Sequence, residues 1–92
     1  MKVKYGKDYL IRTLREELPV LRAKAKVSQE TVADKIGISR QTYSGIETGK
    51  REMTWTTFMA LVAFFQNHDT TMAMMAKMDG FNDKIAEFLE SS

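Results

Sequence analysis

The sequence predicts an all-α fold, because apolar residues recur at helical spacing along most of the 92-residue chain. Ser28, Ser39 and Thr54 each precede such a segment, and serine and threonine are preferred caps at the start of a helix. No run alternates apolar and polar residues as a half-buried strand would. We therefore expect about five helices, with one or two additional helices at the C-terminus.

The composition is typical of one globular domain, with 28% charged and 43% hydrophobic residues. We expect residues 1–92 to form a single domain, in which residues 8–68 are the main bundle and residues 69–92 a helical extension. No apolar run approaches the roughly 20 residues that span a bilayer. The chain has no cysteine for a disulfide or a thiolate metal site. These observations favour a cytoplasmic protein without membrane contact.

The first helix is predicted to begin near Asp8, where an apolar stripe starts. The stripe consists of Leu10, Ile11, Leu14 and Leu18. Pro19 interrupts it, and proline costs about 3 kcal/mol inside a helix but almost nothing in the first turn. We therefore prefer a break near Leu18, with a new helix from Pro19 to about Lys24. A single kinked helix is the alternative.

The stretch from Gln29 to Thr48 indicates two helices joined by a turn. Its apolar positions are Val32, Ile36, Ile38, Tyr43 and Ile46. These side chains can share one core only if the chain bends at Gly37, and glycine tolerates the left-handed backbone that ends a helix. We expect one helix at residues 29–36 and a second at residues 40–47.

The second of these helices presents a short polar face to the outside, formed by Arg40, Gln41, Ser44 and Gly45. Such a face on a helix-turn-helix is typical of a unit that reads DNA in the major groove. Residues 1–51 contain twelve Lys or Arg and six Asp or Glu, whereas residues 52–92 contain two and six. This basic half predicts a surface for a polyanion.

The segment after Thr54 predicts a helix at residues 55–66 that is apolar nearly all round, so two of its faces need cover. The C-terminal segment, a partner subunit, or both would cover the second face. A capping cluster at residues 69–71 then precedes a methionine-rich helix, which a stop at Asp79 and Gly80 separates from the last helix. The methionines fit either a core or a dimer surface.

The stretch SQETVADKIGISRQTYSGIETGK resembles the DNA-binding domain of the phage-repressor, or Cro/Xre-type, helix-turn-helix family. Ala33 matches the small residue of the first motif helix, and Gly37 matches the turn glycine. Tyr43 departs from the common smaller aliphatic residue, and its hydroxyl needs a partner. The resemblance covers about residues 18–66, and residues 70–90 are less closely similar to the tail helices of small Firmicutes-type regulators. It implies a lambda-repressor-like bundle and a sequence-specific transcriptional regulator, acting as a repressor.

The resemblance also implies roles for individual residues. The base-reading residues would be Ser39, Arg40, Gln41, Ser44 and Gly45. The phosphate-binding residues would be Gln29, Thr48, Lys50 and Arg51. Arg22 and Glu47 would form an ion pair that ties the first helix to the recognition helix. Because Gly45 lacks a side chain that relatives often use for a base contact, readout would depend more on Arg40 and Gln41.

The expected partners are double-stranded DNA, in the nucleoid, and a second copy of the chain. One recognition helix spans too few base pairs for genomic specificity, so we expect a homodimer on two half-sites. The alternative is an antitoxin-like or adaptor protein that uses the same fold mainly to bind another protein. His68 has no partner at metal-ligand spacing, and no nucleophile, base and oxyanion site assembles. We therefore expect no metal, no cofactor and no enzymatic activity.

Overall fold

The computed structural model describes residues 6–78 and 81–90, and these residues form six α-helices and no strand. The helices are α1 (Lys7–Ala25), α2 (Gln29–Ile36), α3 (Arg40–Thr48), α4 (Trp55–Gln66), α5 (Asp69–Ala76) and α6 (Phe81–Glu90). The prediction of an all-α fold is confirmed. None of the helices in the described ranges is long and apolar enough to cross a membrane. The predicted stop at Asp79 and Gly80 lies outside the described residues.

A single helix, α1, continues through Pro19, so the predicted break near Leu18 is wrong. The reason is the buried leucine stripe on both sides of the proline. The stripe consists of Leu10, Leu14, Leu18 and Leu21, all fully buried. Each buried leucine contributes about 1.5–3 kcal/mol, which together exceeds the cost of about 3 kcal/mol for the proline. Pro19 itself is exposed, so its ring displaces no core side chain.

The predicted caps at the starts of α2, α3 and α4 are confirmed. The hydroxyls of Ser28, Ser39 and Thr54 each accept a hydrogen bond from the backbone N–H three residues later, at 3.0–3.1 Å. Each such cap contributes about 1 kcal/mol. Gly37 and Gly49 end α2 and α3 with φ of 83° and 84°, a left-handed backbone that favours glycine. Local sequence therefore determines where the two motif helices begin and end.

One hydrophobic core joins all six helices. The α1 leucines contribute to it together with buried side chains from the other five helices. Large members outside α1 are Val32, Tyr43, Ile46, Phe58, Leu61, Phe65, Met75, Phe81 and Ile85. This shared core fixes α2 and α3 relative to the rest of the chain.

Aromatic rings of α6 cover part of the second face of α4, at its N-terminal end. The ring of Trp55 stacks on Phe58, with centroids 4.6 Å apart, and lies 5.1 Å from the ring of Phe88 in α6. The ring of Phe81 packs edge-on against Phe58 at 6.1 Å. Of the two covers expected for the second face of α4, the C-terminal segment is therefore present.

The predicted capping cluster at residues 69–71 is wrong, because these residues do not cap α5. His68 precedes the helix and makes no side-chain cap bond. Thr71 is fully buried, and its hydroxyl donates to the backbone carbonyls of Phe65 and His68. The hydroxyl of Thr70 donates to the carbonyl of Lys24 at 3.2 Å. Both threonines therefore fasten α5 to neighbouring helices instead of capping it.

Candidate nucleic-acid interface

The turn between α2 and α3 is built on Ala33. Its carbonyl accepts hydrogen bonds from the backbone N–H groups of Gly37 and Ile38, at 2.9 and 3.0 Å. Ala33 is only 2% exposed. The small side chain and the left-handed Gly37 together allow α3 to pack closely against α2.

The outer side of α3 presents exposed side chains at its first turn. Arg40 and Gln41 are exposed and line a shallow cleft together with Glu30 and Asp34 of α2. Within residues 6–78 and 81–90, the side chains of Arg40 and Gln41 make no hydrogen bond or ion pair. Their donors and acceptors are therefore available to a ligand.

The hydroxyl of Ser39 accepts from the backbone N–H of Thr42 and donates to the hydroxyl of Thr42, at 3.0 and 2.9 Å. Its hydrogen is therefore used within α3. Ser44 and Gly45 are half-buried and lie further along the helix.

The inner side of α3 is held by a hydrogen-bonded network centred on Glu47. The guanidinium of Arg22 donates to both carboxylate oxygens of Glu47, with each N–O distance 2.9 Å. The hydroxyl of Tyr43 donates to Oε2 of Glu47 at 2.7 Å, and the Gln29 amide donates to Oε1 at 3.1 Å. This carboxylate therefore connects α1, α2 and α3 at one point, and it provides the partner that the Tyr43 hydroxyl needs.

The electrostatics of the network keep Glu47 ionised. Burial alone would raise the pKa of Glu47, but hydrogen bonds from Arg22, Tyr43 and Gln29 outweigh it and lower that pKa below its ordinary value. Burial, with the hydrogen bond to the Glu47 carboxylate, raises the pKa of the Tyr43 hydroxyl. The hydrogen bond to Glu47 raises the pKa of Arg22. At neutral pH the network is thus a charged pair with a neutral tyrosine.

A model of the helix-turn-helix family, of the Cro/C1 type, matches residues 21–68, which is more than half of the chain. The chain belongs to the Cro/C1-type helix-turn-helix family. This family consists of DNA-binding regulators and is generally non-enzymatic. No curated protein and no solved structure matches the chain. Since the match ends at residue 68, the similarity of residues 70–90 to Firmicutes-type tail helices stays a prediction.

The residues expected to bind phosphate differ in how far they are already engaged. Gln29 uses one amide hydrogen on Glu47 and keeps a second. The hydroxyl of Thr48 donates to the backbone carbonyls of Ser44 and Gly45, at 3.0 and 3.2 Å. Its single hydrogen is therefore already bonded to the backbone of α3. Lys50 is exposed in the loop after α3.

Arg51 lies across Gly45, an arrangement that sequence reasoning missed. A Cβ placed on Gly45 would be 3.4 Å from Cβ, Cγ and Cδ of Arg51. The backbone N–H of Arg51 donates to the carbonyl of Gly45 at 3.0 Å. No sequence pattern predicts this contact, because it depends on how the loop after Gly49 returns along α3.

Arg15 of α1 is a second residue that sequence reasoning missed. Its Nε would be 4.0 Å from a Cβ placed on Gly49, which puts a cation beside the C-terminal end of α3. The only sequence signal was its place in the basic half of the chain. Among the described residues no group of three or more His, Cys, Asp or Glu could hold a metal ion.

Proposed function

We propose that the protein is a sequence-specific transcriptional repressor that binds double-stranded DNA as a homodimer, in the cytoplasm and on the nucleoid. The observation that carries this proposal is the difference between the two sides of α3. Arg40 and Gln41 are exposed and have no hydrogen bond or ion pair within residues 6–78 and 81–90, whereas Glu47 anchors the opposite side to α1 and α2. A rigidly held helix with unengaged polar side chains suits the reading of base edges. Membership of a DNA-binding family supports the same conclusion.

The base-reading side chains would act in the major groove. Arg40 suits bidentate binding to O6 and N7 of guanine, and Gln41 suits N6 and N7 of adenine, each contributing about 1–3 kcal/mol of discrimination. Ser39 and Ser44 would border the same base pairs. Ser39 would act there as an acceptor, since its hydrogen is already donated to Thr42.

The phosphate-binding groups would position this helix on the duplex. Gln29 is the first residue of α2, where unpaired backbone N–H groups and the helix dipole favour an anion, and its second amide hydrogen can donate to a phosphate oxygen. Lys50 would add a contact from the loop after α3. Thr48 would have to release its bond to the helix backbone before it could donate.

A homodimer is proposed because one recognition helix covers too few base pairs for genomic specificity. The candidates for dimer contacts are the large apolar side chains that are most exposed in the described residues. They are Val20, Met72 and Leu89, which are 46%, 48% and 49% exposed. They belong to α1, α5 and α6, three helices that contact one another. Met75, by contrast, is fully buried, so the methionine-rich helix contributes to the core and also exposes Met72.

The decisive experiment is selection of bound fragments from a random pool of duplex DNA, followed by affinity measurements on the selected sequence. We expect two symmetric half-sites about one helical turn apart. Affinity should fall by about 10³-fold or more between about 50 and 200 mM salt, because several phosphate contacts release counterions.

Two results would overturn the proposal: no enriched sequence, or an affinity that hardly responds to salt. A stable complex with a second protein, in a chain that binds no duplex, would instead support an adaptor. Sedimentation of the protein with and without the selected duplex reports the dimer separately.

A further inference from the structure

We propose that Arg51 is a base-reading residue, which binds a guanine in place of the side chain that Gly45 lacks. This proposal rests on the proposed function, since it requires α3 to enter the major groove. It replaces the phosphate contact that the sequence suggested for Arg51. The ligand is a guanine edge in the part of the half-site beyond the base pair read by Gln41.

The position of the Arg51 stem is the first observation. Its Cβ, Cγ and Cδ all lie 3.4 Å from the place where a Gly45 Cβ would be. Gly45 is four residues after Gln41, so both lie on the same face of α3. The stem of Arg51 therefore lies on the face of α3 that contains Gln41 and Gly45, one turn beyond Gln41. We call this the reading face.

The backbone fixes this placement. The N–H of Arg51 donates to the carbonyl of Gly45 at 3.0 Å, so the loop is bonded to the helix at the point where the side chain crosses it. Gly49 makes the return possible, since its left-handed backbone with φ of 84° ends α3 and redirects the chain. A side chain that leaves such a bonded position is restricted in direction, as base readout requires.

The chemistry of the guanidinium is the second observation. Arg51 is exposed, and its side chain has no hydrogen bond or ion pair within the described residues. An arginine fork matches O6 and N7 of guanine in one plane, whereas a lysine supplies a single point charge. Lys50 is exposed in the same loop. Arg51 is therefore better placed for a base, and Lys50 for a phosphate.

Gly45 provides the room that this arrangement needs. The closeness of the Arg51 stem limits position 45 to a small residue, because a side chain larger than methyl would displace the stem from this face of α3. Alanine would meet it at ordinary van der Waals distance.

The test compares base preferences of the wild type with those of Arg51→Ala, Arg51→Lys and Lys50→Ala, by selection from a random duplex pool. We expect Arg51→Ala to lose the preference for guanine at one position of each half-site, by about 5- to 100-fold. Arg51→Lys should weaken that preference by less, because lysine lacks the planar fork of arginine. The preferences that depend on Arg40 and Gln41 should remain. Lys50→Ala, the matched control in the same loop, should weaken all sequences by a common factor.

Gly45→Leu provides an independent variant. It should remove the same guanine preference although Arg51 is still present, because the leucine side chain displaces the arginine stem. Thermal unfolding by circular dichroism checks that each variant folds.

The inference would be overturned if Arg51→Ala kept the wild-type preference for guanine, or if Arg51→Ala weakened all sequences by a common factor as Lys50→Ala does. Failure of the proposed function has a different signature, because the wild type itself would then select no sequence. The two failures are therefore distinguishable in one experiment.

Discussion

The two sides of α3 are opposite in character although they belong to one helix of nine residues. On the inner side, the carboxylate of Glu47 accepts hydrogen bonds from Arg22, Tyr43 and Gln29. On the outer side, Arg40 and Gln41 make no such bonds within the described residues. The polar groups of the inner side hold α3 in position. Those of the outer side are not engaged within the described residues.

This difference teaches how a short helix can be held in one orientation. A helix of nine residues is marginal by itself, so its orientation has to come from tertiary contacts. The buried side chains of Tyr43 and Ile46 supply the packing. The Glu47 network adds direction, because it fixes α3 against two other helices at once.

Removing the Glu47 carboxylate from the inner side should have the largest effect on stability. We expect Glu47→Ala to reduce the free energy of unfolding by about 3 kcal/mol, since it leaves Arg22 and the Tyr43 hydroxyl without their partner. Urea unfolding at neutral pH measures this. Glu90→Ala, at an exposed glutamate at the end of α6, is the control and should change stability by less than about 0.5 kcal/mol. Equal effects of the two changes would show that the network adds little.

Changing the outer side should alter recognition and leave the fold intact. Arg40→Ala should relax base preference at one position, by about 1–3 kcal/mol of discrimination, with a change in unfolding free energy below about 0.5 kcal/mol. Gln29→Ala should instead weaken binding to all sequences alike. Fluorescence anisotropy with matched and single-mismatch duplexes separates the two. If both variants give the same pattern, the assignment of reader and clamp is wrong.

A milder change to the inner side is Tyr43→Phe. It removes one hydrogen bond to Glu47 and keeps the packing of the ring, so we expect a loss of about 1 kcal/mol in the free energy of unfolding. Because the Tyr43 hydroxyl helps to lower the pKa of Glu47, that pKa should rise in the variant. Carboxyl titration followed by NMR checks both the sign and the residue. An unchanged Glu47 pKa would indicate that Arg22 and Gln29 lower it without help from Tyr43.

The smallest expected effect is that of acid on the stability that the Glu47 network contributes. The pKa of Glu47 is lower in the folded chain than its ordinary value, so its charge stabilises the fold above the unfolded pKa of about 4.3. That stabilisation is lost as pH falls through the folded-state pKa. The difference in unfolding free energy between the wild type and Glu47→Gln should therefore narrow between pH 7 and pH 3. A difference that widens in acid would contradict this sign.

The sequence predicted best what depends on neighbouring residues. Ser28, Ser39 and Thr54 cap their helices as expected, because a cap requires only a hydroxyl and a backbone N–H three residues later. The predicted helix break at Pro19 was wrong, because the free energy that proline costs a helix is outweighed by the burial of leucines against distant helices. Local rules contain no information about that burial.

The site was predictable only in part for the same reason. The spacing of Tyr43 and Glu47, four residues apart on α3, was a signal that the two side chains could meet. The contact of Gln29 with Glu47 and the course of Arg51 across Gly45 depend on how helices and loops pack. The roles proposed for Arg40, Gln41 and the phosphate-binding residues stay predictions until DNA is bound.

The shared core has a consequence for moving this DNA-reading unit into other proteins. The family match covers residues 21–68, but Leu10, Leu14 and Leu18 precede that segment, and Phe81 of α6 packs on Phe58 within it. A graft of residues 21–68 alone would expose to water the apolar surfaces that these side chains cover. The segment to transfer is therefore the whole described chain from α1 to α6, which is longer than the part that matches the family.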